Sequence, residues 1–244
     1  MVNEPKRPLR SLTMFFPFHN EEDNIIFMIE SAVKTGSKIA DDLEIIAIDD
    51  GSEDSTGELA RSMEKKYPGL VKAIIHEHNL GYGAALKTGF ANSTKDWVFF
   101  SDGDRQFKIE DLYLLVDIVV LSDQPVVAVG YRINRKDPFY RRLNAALFNV
   151  LIRLLLGLRR VRDIDCAFKL IPGEALKRVL PLSSDGAIIS AELLCRCKKA
   201  GYSILEVPIP HFPRLEGTQS GARISVIIKA FTELARNWRR FNTL

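Results

Sequence analysis

Short apolar runs that end in polar clusters alternate with helical stripes along the first hundred residues. This alternation constrains the fold more than any other feature of the sequence. Leu12–Phe18 reads as a first strand with Pro17 near its end, followed by the turn His19-Asn20-Glu21-Glu22-Asp23-Asn24. Asn20 suits a helix N-cap, and the acids suit the positive end of the helix that follows. Apolar residues at 25, 26, 29, 32 and 33 predict that helix over Ile25–Lys34. Glu44–Ile48 reads as a strand ending in Asp49-Asp50-Gly51-Ser52, Ser55–Tyr67 as a helix closed by Pro68-Gly69, and Val71–His76 as a strand. Gly81–Phe90 reads as a helix entered through a glycine-rich turn, and Trp97–Phe100 as a buried strand.

Strand and helix thus recur at roughly 25–30 residues, the pattern of βαβ units in a parallel sheet with helices on both faces. Ligands in such sheets bind beyond the carboxyl ends of the strands. Asn20-Glu21, Asp49-Asp50, Asn79 and Asp102/Asp104 all fall at those ends. One polar cluster is a turn; four at one edge argue for a site. The most telling is Ser101-Asp102-Gly103-Asp104-Arg105-Gln106. Two carboxylates one residue apart are hard oxygen ligands that suit Mg²⁺ or Mn²⁺ and not zinc.

The second half is less regular. Ile109–Leu121 is expected to be helical, Val126–Tyr131 a strand, Asp163–Leu170 short and mixed, Glu174–Leu180 and Ala187–Ala200 helices, and Ser203–Pro208 a strand. Phe139–Leu158 and Ile224–Phe241 have the spacing of amphipathic helices with basic residues. Such helices fit a membrane interface, the domain's own core, a partner subunit or a homo-oligomer.

The chain has 244 residues and a net charge of only +3, but the charge is uneven. Tyr131–Arg162 holds nine Lys/Arg against the single acid Asp137. A patch of this kind implies an anionic partner. Aromatic-basic interleaving and nucleic-acid reader motifs are missing, so no nucleic acid is expected. Three cysteines without zinc-ligand spacing suggest reduced thiols and a cytoplasmic setting. Met1–Arg10 lacks the apolar core of a signal peptide, and Ala145–Leu158 falls short of the ~20 residues of a spanning helix.

Taken in order, Pro17-Phe18-His19-Asn20-Glu21-Glu22, Asp49-Asp50-Gly51-Ser52-Glu53-Asp54-Ser55-Thr56, Asn79-Leu80-Gly81-Tyr82-Gly83-Ala84-Ala85 and Asp102-Gly103-Asp104-Arg105-Gln106 resemble the inverting GT-A glycosyltransferases of family 2. Tyr140-Arg141-Arg142 with Asn144, Asp165-Cys166-Ala167-Phe168-Lys169-Leu170 and Glu206–Arg214 are similar to the dolichyl/polyprenyl-phosphate hexosyltransferase branch. The likeness runs from about Leu12 to Arg223. Ala167 departs from it, because the family usually has glycine there, and the C-terminal membrane helices of some relatives are missing from this sequence.

The resemblance implies an α/β, GT-A (Rossmann-like), mostly parallel sheet flanked by helices. Residues 1–223 would form the transferase domain, with a nucleotide-sugar half at 1–107 and an acceptor half at 108–223. Residues 224–244 would form an amphipathic C-terminal helix. It implies inverting hexose transfer from a nucleotide diphosphate sugar, of the GDP-mannose or UDP-glucose type, to polyprenyl or dolichyl phosphate at the cytoplasmic face of a membrane.

Donor contacts would come from Pro17, Asn20, Glu21, Asp49, Asp50, Asn79, Gly81 and Asp102, and metal ligands from Asp102, Asp104 and Gln106. Arg132, Arg141 and Arg142 would bind the acceptor phosphate through charge-assisted hydrogen bonds. Arg214 would serve the diphosphate or close the site, with Arg223 as a companion. Lys169 fits a second phosphate-side cation or a surface lysine. An ionised phosphate acceptor needs no strong base. A sugar or glycan hydroxyl acceptor would need one, and Asp165 and Glu192 are the carboxylates available. Alongside Asp104 and Arg214 they complete the candidate catalytic set. A basic-patch binding protein or a scaffold is the non-enzymatic alternative.

Overall fold

The computed structural model describes residues 9–133, 150, 152–186, 188–214, 232, 233 and 236. The expected alternation is present. The elements are β1 (Leu9–Phe18), α1 (Glu22–Ile39), β2 (Ala40–Asp49), α2 (Thr56–Lys66), β3 (Val71–Ile75), α3 (Tyr82–Asn92) and β4 (Trp97–Ser101). They continue with α4 (Leu112–Leu121), β5 (Val126–Ile133), β6 (Phe168–Pro172), α5 (Gly173–Val179), α6 (Ile189–Lys199) and β7 (Ser203–Pro210). One seven-stranded sheet runs in the order β3-β2-β1-β4-β6-β5-β7. Every pairing is parallel except those of β6, which is antiparallel to both β4 and β5.

The central strands are buried on both faces, which is why they read as near-continuous apolar runs, while the edge strands β3 and β7 are only partly covered. Successive phenylalanines point to opposite sides. Phe15 and Phe100 stack at 5.4 Å with Phe90 edge-on, in the core under α3, α5 and α6. Phe16, Phe18, Phe99 and Phe168 fill the other core, under α1, α2 and α4. Gly89 lets α3 lie directly on β1, since a Cβ there would come 2.3 Å from the Phe15 ring.

β6 is the element the sequence hid. Lys169 at its second position breaks the apolar run, yet its side chain is fully buried. The reading of Lys169 as a surface residue is therefore corrected. In the register it faces Phe100 of β4 and Val129 of β5. Its ammonium donates to the Cys166 carbonyl and lies 5.4 Å from the Phe100 ring centroid. Burial lowers its pKa.

The amphipathic stretch Phe139–Leu158 lies mostly outside the described residues. At its end Ile152, Leu156 and Leu158 enter the core, while Val150, Leu154 and Leu155 stay exposed. Ile224–Phe241 lies outside them except for 232, 233 and 236. Among the described residues no helix is long and apolar enough to cross a membrane.

Candidate active site

The ends of β1 and β2 are laced together. Asn20 takes a left-handed backbone (φ 55°), which asparagine tolerates better than most residues. Its N–H donates to Ser52 Oγ, and its side-chain oxygen accepts from the Glu53 N–H at 2.9 Å. The Glu21 N–H donates to Thr56 Oγ1 and the Ser55 N–H to Glu22 Oε2. Next to them the His19 ring contacts the Asp50 carbonyl at 3.1 Å and the Asn79 amide at 3.0 Å. Asn20, Glu21 and Asn79 thus share one edge.

Asp49 and Asp50 are 2% and 4% exposed, and both are hydrogen-bonded within the chain's own turns. Asp49 Oδ1 accepts from the Ser52 N–H and hydroxyl. Asp50 Oδ1 accepts from His76 Nδ1 at 2.7 Å and the Leu80 N–H, and its Oδ2 from the Gly81 N–H at 2.9 Å. Asp50 therefore shapes the loop that enters α3. Gly81 (φ 95°) is needed there because this turn is left-handed.

The β4 exit carries the carboxylate pair. Gly103 allows the turn to press on β1, since a Cβ would lie 2.3 Å from the Phe18 ring. Asp102 Oδ1 accepts from the Tyr82 hydroxyl at 3.0 Å, and Asp104 Oδ1 accepts from the Gln106 N–H at 3.1 Å. Burial, then the neighbouring Asp104 carboxylate, pushes Asp102 up to about 7. Burial also raises Asp104.

The loop after β7 docks on this turn. The Phe212 N–H donates to the Gln106 carbonyl at 2.9 Å, and Gln106 Nε2 donates to the Phe212 carbonyl at 3.1 Å. The Phe107 and His211 rings meet edge to face at 5.2 Å. The loop thereby delivers Arg214, whose guanidinium hydrogen-bonds Glu21 and lies 3.9 Å from Asp104 Oδ2. Glu21 also accepts from Asn24 at 2.6 Å; burial outweighs both partners and raises its pKa. One cation therefore joins the donor-side loop of β1 to the carboxylate pair of β4.

On the other flank, Arg132 makes a two-pronged pair with Asp163, with both N···O distances at 2.7 Å. Glu206 accepts from the Arg162 and Asp163 N–H groups and fixes Asp163 in turn. Asp165 lies within electrostatic reach of Tyr82, Arg132 and Lys169. Arg141, Arg142 and Arg223 lie outside the described residues. Glu192 is fully buried on α6, with its oxygens accepting from Ser183 and Ser184.

The family model for "Glycosyl transferase family 2" matches residues 13–180. The chain belongs to glycosyl transferase family 2. This family 2 chain is 27% identical over 220 residues to the dolichyl-phosphate beta-glucosyltransferase of Saccharomyces cerevisiae, covering 81% of this chain and 66% of the relative. It is 27% identical over 229 residues to the undecaprenyl-phosphate 4-deoxy-4-formamido-L-arabinose transferase of Pectobacterium atrosepticum, covering 90% and 65%. The chain thus spans just under two thirds of the length of these curated relatives.

Among solved structures, glucosyl-3-phosphoglycerate synthase from Mycobacterium tuberculosis, in complex with Mn²⁺, UDP and glucosyl-3-phosphoglycerate, superposes with a TM-score of 0.71 at 20% identity. That likeness covers 93% of this chain and 80% of that one and shows the GT-A fold.

In this family 2 chain the sheet brings together Pro17, Asn20, Glu21, Asn79, Gly81, Asp102, Asp104, Gln106 and Arg214. Sequence reasoning passed over Tyr82, His76, Asp163 and Glu206. Tyr82 stood inside a quoted motif, directly after the turn glycine, where a helix N-terminus faces the strand ends. Nothing in local sequence marks Asp163, whose meaning comes only from its pairing with Arg132.

Proposed function

We propose that the chain transfers a hexose, with inversion, from a nucleotide diphosphate sugar to polyprenyl or dolichyl phosphate. The observation that carries this reading is the Glu21–Arg214–Asp104 bridge, which puts the nucleotide-side loop and the carboxylate pair in one polar edge. The two relatives named above act on lipid phosphates by name, which supports the acceptor class. The burial of Glu192 also favours it. An ionised phosphate oxygen attacks without a base, and Asp165 remains the carboxylate at hand should a hydroxyl acceptor need one.

The donor would lie across Asn20, Glu21 and Asn79 with its diphosphate toward Asp102 and Asp104. The two carboxylates fit Mg²⁺ or Mn²⁺ in chemistry, being hard oxygen donors one residue apart on the same turn. Among the described residues no third His, Cys, Asp or Glu converges on them. Gln106 and the diphosphate oxygens would complete such a set. When bound, the ion supplies Lewis-acid stabilisation of the leaving nucleoside diphosphate. Arg214 adds charge-assisted hydrogen bonds to the same leaving group as it exchanges carboxylate for phosphate oxygens.

Arg132, held at a fixed angle by Asp163, would present its remaining N–H groups to the acceptor phosphate, and Arg141 and Arg142 would add further cations for it. The exposed Val150, Leu154 and Leu155 support a peripheral stance at the cytoplasmic membrane face. Residues 1–223 would work as one transferase unit, with 224–244 as an amphipathic extension at the membrane or a subunit contact. Incubation with radiolabelled nucleotide sugars, polyprenyl phosphate and Mn²⁺, followed by organic extraction, tests the reading. Label entering the organic phase supports it; label that stays wholly aqueous overturns the lipid acceptor.

A further inference from the structure

We infer that Glu192 is a positioning residue for Asp102, acting through the Ser183–Asp185 loop and the N-terminus of α3. The inference rests on the reading of Asp102 as part of the donor–metal site. Glu192 lies on α6 and is fully buried. It accepts from the Ser183 N–H at 2.8 and 3.0 Å, the Ser184 N–H at 2.8 Å and the Ser184 hydroxyl at 2.7 Å. Arg196, one turn further along α6, lies 3.5 Å away and balances the charge. Donors from two successive residues converge on this carboxylate, so the loop backbone has little freedom.

The next residue, Asp185, is the contact with the site. Its carbonyl accepts from the Gly83 N–H at 3.2 Å. The approach is so close that a Cβ on Gly83 would lie 2.4 Å from Asp185 backbone atoms. Lys87, one turn along α3, pairs with the Asp185 carboxylate. A loop wedged against helix backbone transmits its own displacement, because packed interiors have little slack. Tyr82, the first residue of α3, then donates to Asp102 Oδ1 at 3.0 Å. The path from Glu192 to Asp102 is continuous, and every link is a hydrogen bond or a backbone contact. A carboxylate that merely stabilised its own loop would need no such contact with α3.

Two measurements test this on the full chain. The first is hydrogen exchange over residues 80–86 and 183–186 in wild type, Glu192→Gln and Ser184→Ala, which needs no metal. Gln keeps the shape but places an amide N–H₂ against N–H donors. Faster exchange at the Gly83 amide in both variants is expected; unchanged exchange there overturns the inference, whatever the protein binds. Ser184→Ala keeps this arm decisive should Glu192→Gln fail to fold.

The second is Mn²⁺ binding, read from the free-ion paramagnetic resonance signal, in a double-mutant cycle with Tyr82→Phe. Each single variant is expected to weaken binding about three- to tenfold, the range of coupled contacts. The double variant should bind no more weakly than Tyr82→Phe alone. Multiplicative losses would mean that Glu192 acts by another route and would overturn the path. Absence of Mn²⁺ binding in wild type would instead strike at the metal reading, leaving the exchange result to decide this one.

Discussion

Replacing Arg214 with Met should destabilise the metal-free protein, and the loss should depend on pH. Arg214 and Glu21 have side chains 18% and 8% exposed, and the arginine also faces Asp104. A hydrogen bond to a charged group contributes about 1.5–3 kcal/mol, and the residual exposure of Arg214 argues for a loss of about 2 kcal/mol. For a chain of this size that is about 4–8 °C in Tm. Glu21 is already raised by burial despite Arg214. A carboxylate raised in the folded state costs stability above its folded pKa, and the cost disappears as pH falls through that value. Without Arg214 the folded pKa rises further, so the penalty at pH 8 grows and again vanishes on acidification. Thermal unfolding in chelator at pH 8 and pH 5 should therefore show a large gap between wild type and variant at pH 8 that narrows at pH 5. A gap of equal size at both pH values, or none at pH 8, would refute the charge argument.

Asp104→Asn keeps the shape and the acceptor for the Gln106 N–H but halves the carboxylate pair; Mn²⁺-dependent nucleotide binding should be lost while circular dichroism and Tm stay near wild type. Asp163→Ala removes the brace on Arg132 and leaves that cation without its partner; transfer should fall mainly through a higher KM for the lipid phosphate, with donor KM unchanged. Lys169→Ala leaves a cavity and strips the Cys166 carbonyl of its donor, so the urea midpoint should fall by the equivalent of about 2–4 kcal/mol. A surface lysine would show almost no change.

β1, β2 and β4 were legible because parallel strands buried on both faces write themselves as apolar runs. Their ends were legible because turns that feed helices need Asn, Asp, Ser and Gly. β6 was not, since a single buried lysine among apolar residues imitates a loop. The same limit applied within the site. Asp102 and Asp104 stand out once the other strand-end clusters are set beside them. Asp49 and Asp50 stand out as strongly, and yet both turn inward, because a carboxylate at a strand end can cap a turn as readily as it can face a ligand. Only the partners separate the two cases, and for Asp50 the decisive ones are His76 and the Leu80 and Gly81 amides, 26 to 31 residues away. Glu192 read as an available carboxylate because the sequence does not show what a helical side chain meets.

The partners also explain why the donor edge is not the property of the first 107 residues. β4, which carries Asp102, is hydrogen-bonded to β1 on one side and to β6 on the other. Without β6 it would be an open edge strand, and its exit turn would lose the wall on which Asp165 and Lys169 stand. The same turn is held from above by the Gln106–Phe212 bonds, and the charge at its tip is balanced by Arg214, 193 residues from Glu21. α3 is braced by Asp185. The nucleotide-side residues therefore come early in the chain, but their geometry is set by contacts that form last in sequence.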